Sequence, residues 1–170
     1  MSLFWHNLRI APLGEESDSI SGILSKLSNS DPKLAQELAA VDWVSLRKYV
    51  MGLALKDVSD KFDASLEKRF DNSSVHGSKS GDPPNGECVG VIRSGTFLQI
   101  GVSVEDDGHF NLYWNVGGEA QHANELEKWK EAIGDCFSKR LLAAAVELCA
   151  DTTKTQSLPD GTFVVVGTRN

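Results

Sequence analysis

The hydrophobic positions change rhythm once along this chain, near Asp71. Before it, apolar residues recur every three or four positions. Ile20, Ile23, Leu24 and Leu27 form one such stripe, with Ser17 or Asp18 placed to cap a helix. Ser30-Asp31-Pro32 signals a second helix start: a capping side chain, then proline in the first turn, where its missing N–H costs nothing. Leu34, Leu38 and Val41 follow. Asp42 is placed to cap a third helix with Trp43, Leu46, Val50 and Leu53, and the stripe through Leu55, Val58, Phe62, Leu66 and Phe70 predicts helix as far as Arg69 despite Gly52. The first ten residues, with Leu3, Phe4, Trp5, Leu8 and Ile10, read as a short strand or an apolar arm.

After the break the period falls to two. Glu87–Arg93, Thr96–Glu105 and His109–Val116 read as strands, joined at Ser94-Gly95 and at Asp107-Gly108, the latter a strong hairpin signal. In the third strand Phe110, Leu112, Trp114 and Val116 share one side; His109, Asn111, Tyr113 and Asn115 share the other. That alternation suits a sheet with one buried and one open face. A long helix follows from about Gln121 to Asp151, with Leu126, Trp129, Ile133, Phe137, Leu141, Ala144 and Leu148 as its stripe. Its tract LLAAAVELCA is apolar nearly all round, so cover on more than one side is expected there. Pro159-Asp160-Gly161 then turns the chain between Thr152–Ser157 and Thr162–Thr168, a C-terminal hairpin.

The predicted class is α+β: an N-terminal helical segment over residues 1–70, a connector over 71–86, and a β-β-β-α-β-β unit over 87–170 packed with the helices as one domain. The order of elements over that last half of the chain is similar to that of type III secretion chaperones, with no diagnostic residue shared.

The connector raises the one question of visible chemistry. NSSVHGSKSGDPPNGECVGVIRSG is rich in glycine and holds Lys79 between serines, as phosphate-binding loops do. Such loops follow a strand and open a helix, whose first amides hold the anion. Here helix precedes and strand follows, and Pro83-Pro84 removes two amide donors. The stretch reads as slack between two halves.

Other chemistry is sparse. Cys88, His109 and His122 are isolated, with no CxxC, HxH or HExxH, so no metal site is expected. Ser45-Leu46-Arg47-Lys48 and Ser65-Leu66-Glu67-Lys68 spell SxxK without the accompanying elements of a serine hydrolase. No cofactor fingerprint occurs, and none is expected to bind. The 170 residues carry 17 basic and 24 acidic groups, a net charge of −7, and both halves are acidic. That argues against nucleic acid, whose binding rests on neutralised phosphates. No run approaches the ~20 apolar residues of a membrane span, and the first twenty residues lack the pattern of a secretory signal. Three cysteines, an odd number, two of them far apart on one helix, fit a reducing cytoplasm.

The expectation is therefore a small protein-binding module without catalysis: an adaptor, an inhibitor, an immunity-type or a secretion-chaperone-like protein. Its predicted contact surface is the polar side His109, Asn111, Tyr113 and Asn115, with Trp5 as an exposed aromatic anchor. Apolar edges left over by this layout would admit a second copy, giving a homodimer. The rival expectation is a small-molecule binder or hydrolytic enzyme with a pocket between helices and sheet, the connector as its lid, and Cys88, His109 and His122 as reactive groups.

Overall fold

A computed structural model describes residues 6–10, 29, 31–68, 86–95, 98–106, 108–116 and 120–168. The first helix predicted from the pattern, around Ile20 to Leu27, and the connector up to residue 85 lie outside them. Helix α1, Pro32–Ala39, begins at the proline that the sequence places in its first turn. Helix α2, Trp43–Lys61, is capped as its sequence dictates: Asp42 Oδ1 accepts from Ser45 N at 3.1 Å, and Ser45 Oγ donates to Asp42 Oδ2 at 2.7 Å.

This helix stops eight residues short of Arg69. Phe62 N donates to Val58 O, and Asp63 then takes φ of +50°, a left-handed turn that reverses the chain. Ser65–Glu67 becomes strand β2. The apolar stripe misled because Phe62 and Leu66 pack against the same core that a continued helix would have met.

Strands β1, His6–Ile10, β3, Glu87–Ser94, β4, Leu98–Val104, and β5, Phe110–Val116, complete a five-stranded antiparallel sheet in the order β1-β5-β4-β3-β2. The first ten residues thus contain a strand, paired with β5 from His6 opposite Trp114 to Ile10 opposite Phe110. Between β4 and β5 the chain turns at Gly108, whose φ of +87° suits glycine, and Glu105 N donates to His109 O at 2.8 Å across the turn. Helix α3, Ala120–Cys149, is the long predicted helix, and strands β6, Thr152–Ser157, and β7, Phe163–Thr168, form a separate antiparallel hairpin against it. The architecture is α+β.

Helices α2 and α3 cover one face of the sheet. Val50, Leu55 and Val58 of α2 and Leu126, Trp129, Ile133, Phe137 and Leu141 of α3 bury Ile92, Leu98, Ile100, Val102, Phe110 and Leu112. Phe110 and Phe137 meet edge to face, centroids 5.4 Å apart at 78°. Beside this core, Arg140 forks onto both carboxylate oxygens of Asp57, tying α3 to α2. Lys130 Nζ lies 4.0 Å above the Trp114 ring.

The apolar end of α3 is covered on two sides, as its sequence predicts: Leu141 is in the core with Ala144 packed against it, and Val146 and Ala150 stand against Gly167 of the hairpin. Leu148, placed on the buried stripe, is nevertheless 41% exposed. One expectation about cover fails outright. The far face of the sheet, expected to be open, is buried: Asn111 is 3% and Tyr113 2% exposed, and Ser103 and Val91 are fully inside. β4 is buried at every position.

Candidate functional site

That burial takes two members, Asn111 and Tyr113, out of the predicted contact surface. Asn111 and Tyr113 offer nothing to a partner because their side of the sheet is closed, and the Asn111 amide nitrogen is buried without a hydrogen-bond partner. His109 is half-buried at the foot of β5, and Asn115 stands opposite Gln99 in the ladder. Trp5 lies outside the described residues. The sequence held no clear warning, because the same side of the sheet also carries Glu67 and Arg93 in the ladder beside Val91 and Gln99.

Of the rival's reactive groups, Cys88 and His109 stand apart, and the side chain of His122 lies outside what is described. Cys88 pairs across from Ser103, and Ser103 from Asn111, so Cys88 and His109 sit on strands two apart, roughly 10 Å at ordinary strand spacing. That exceeds the reach of a thiol–imidazole hydrogen bond. Ser45 and Lys48 are each held by a carboxylate, Ser45 by Asp42 and Lys48 by Glu87, and so do not form a Ser–Lys pair. Among the described residues no three His, Cys, Asp or Glu side chains come together as metal ligands. No described helix is long and apolar enough to cross a membrane. None of the three cysteines is bridged, and burial pushes the Cys136 thiol up, with Asp57 and Asp135 adding to it.

What the fold does build is a groove. Ser45, Lys48, Tyr49, Gly52, Leu53 and Lys56 recur at helical spacing along α2, on the side turned away from its buried Val50, Ala54, Leu55 and Val58. Facing them stand Leu66 and Lys68 at the end of β2, and Glu87, Cys88 and Val89 at the start of β3. Together they enclose an open groove of about 740 Å³.

Three local features shape it. β2 pairs only with Val91–Arg93, so among the described residues no strand lies beside the first half of β3 on the side away from β4. The register of β3 shifts between Cys88 and Gly90, a bulge that re-aims Val89 toward α2. Gly52 leaves the middle of the wall bare. A Cβ there would lie 4.0 Å from Val89 Cγ1, ordinary contact, so packing does not require the glycine although it weakens the helix. Its missing side chain is groove space.

The lining is apolar below, with Leu53, Leu66 and Val89, and charged at the rim. Three ammonium groups, Lys48, Lys56 and Lys68, stand against the one carboxylate of Glu87. Lys56 also reaches the exposed Asp60 at 2.6 Å, a solvated pair of the kind that exchanges readily. Tyr49, 65% exposed, stands among them. Positive lining in a chain of net charge −7 sets this place apart. A smaller recess of about 450 Å³, between Lys61 and Phe62 on one side and Lys128, Glu131 and Asp135 on the other, has balanced charge and no comparable apolar floor.

Composition hid the groove. Its lysines look like an ordinary solvated helix face, and only the return of β2 and β3 turns that face into a wall. Compared with protein-family models, with curated proteins and with solved structures, the chain matches none.

Proposed function

We propose that the chain is a small protein-binding module, acting without catalysis, whose groove between α2 and the β2–β3 edge receives an extended acidic segment of a partner protein. One observation carries the reading: an apolar floor rimmed by three lysines, in a chain that is otherwise acidic. Apolar side chains of the segment would settle on Leu53, Leu66 and Val89, where water is displaced at about 25 cal/mol per Å² buried. Its carboxylates would meet Lys56 and Lys68, which favours acidic over basic segments and speeds encounter. Tyr49 is the aromatic anchor of this surface in place of Trp5. The unbridged cysteines suit work in a reducing compartment such as the cytoplasm.

Gly52 supplies the test. Gly52→Leu fills the groove while strengthening the helix, so lost binding cannot be blamed on unfolding. The full chain is panned against a displayed library of random peptides. Enriched sequences should combine leucine or phenylalanine with glutamate or aspartate, and Gly52→Leu and Lys56→Glu/Lys68→Glu should abolish their binding. A library without enrichment, or one enriched in basic peptides, refutes the reading. Saturable binding of fatty acids instead, blocked by Gly52→Leu, reassigns the groove to a small anionic ligand, since its volume lies within the range of such pockets.

A further inference from the structure

The C-terminal hairpin is a sheet of only two strands, and such a pair is marginal in water unless something else covers it. Helix α3 packs across one face of both strands. Gly167 marks that face, since a Cβ there would come within 2.7 Å of Ala150 and 2.8 Å of Val146. Alternation then turns Val164 and Val166 outward, and Val166 is 54% exposed.

The two outer edges of this hairpin differ. β6, TTKTQS, is polar and carries Lys154, and lysine on an edge strand discourages pairing. β7, FVVVGT, has a run of three valines and no charge at all. Among the described residues no strand pairs with its outer edge. An uncharged, β-branched open edge invites another strand, and proteins normally cover or charge it.

We propose that β7 is a homodimerisation edge, pairing antiparallel with β7 of a second copy about a two-fold axis to make one four-stranded sheet. The occupant follows from charge. A segment without charge is complementary to itself, and nothing at this edge selects a charged partner. Antiparallel pairing centred on Val165 sets Val164 of each copy beside the partner's Val166, closing the exposed valines into one cross-strand patch.

Size is consistent as well. A strand edge of six residues is too small alone for a stable interface, which needs about 1,200 Å² or more. In the joined sheet, however, both α3 helices lie on the same face. A helix set over the middle of each hairpin is two strand spacings from its copy, roughly 10 Å, the normal distance between packed helices. Half-buried Leu142 and Ala143 flank the Val146 and Ala150 side of α3 that rests on the hairpin, and supply apolar surface beside that second contact.

The experiment is light scattering on the full chain across a concentration series. The expected mass rises toward twice the 18.5 kDa of one chain. Val166→Lys, at a position already exposed, should return it to 18.5 kDa with an unchanged circular dichroism spectrum. Val165→Cys should give a reducible dimer under mild oxidation, because facing strand residues lie within disulfide range, whereas unsubstituted protein should not. A monomer at every concentration overturns the proposal, as does a dimer untouched by Val166→Lys and without the Val165→Cys cross-link.

Discussion

Phe137→Ala tests whether α3 lies on the sheet in the register described. Phe137 is 5% exposed, and its ring meets the edge of Phe110 on β5. Truncating a buried phenylalanine costs about 3–5 kcal/mol, the spread reflecting how far the site collapses. Collapse is restricted here. Ile133 and Leu141 hold the same helix face one turn to either side, and Phe110 is anchored between two strands, paired with Ile10 and Val104. The upper half of the range, about 4 kcal/mol, is therefore expected. For a chain of this size that lowers the melting temperature by roughly 8–16 °C. Urea unfolding should give a lower midpoint with the same slope, since the surface exposed on unfolding is unchanged. A double-mutant cycle with Phe110→Leu isolates the ring pair, whose expected coupling is about 0.5–1.5 kcal/mol. A total loss under about 1 kcal/mol, or a coupling indistinguishable from zero, would refute this arrangement of helix and sheet.

Two further outcomes follow from the ion pairs and caps. Hydrogen bonds from Ser45 hold the Asp42 carboxyl below its ordinary range, so its contribution to stability is present above the unfolded pKa and lost as pH falls through the folded one. The gap in melting temperature between wild type and Asp42→Ala should be widest near neutrality and close below about pH 4. The fork of Arg140 on Asp57 holds the guanidinium protonated, yet both side chains are more than a third exposed. A cycle of Asp57→Asn and Arg140→Gln should give under about 1 kcal/mol of coupling, shrinking in high salt, and about 2 kcal/mol or more would mean a drier contact than this one.

Periodicity reported the elements well because each is amphipathic against one core. The capped start of α2, the meander, the 30-residue α3 and the terminal hairpin all appear where the rhythm put them. It failed where one residue answers to two geometries. Leu66 meets the core from a strand as well as from a helical turn, so only Asp63, in its left-handed conformation, ends the helix, and an aspartate is a weak stop signal. It failed again on β5, where alternation separates two faces without saying that the second is wet. Asn111 and Tyr113 are polar in type and buried in fact. The groove was illegible for a third reason: its two walls are 10 to 44 residues apart in sequence, and Lys48, Gly52 and Lys56 acquire meaning only when Val89 stands opposite.

The groove and the hairpin edge share no residue. The first is built from α2, β2 and the start of β3; the second from β7 and the end of α3. Pairing through β7 would therefore leave both grooves open and present them twice. A partner with two acidic segments would then bind the dimer far more tightly than a single segment does, through the effective concentration of the second site. This gives the two proposals a joint signature. Val166→Lys should leave the affinity for one isolated acidic peptide unchanged while weakening a tandem of two by about 10²-fold or more. Equal loss for both would mean that the hairpin supports the groove itself, and the separation of roles would fail.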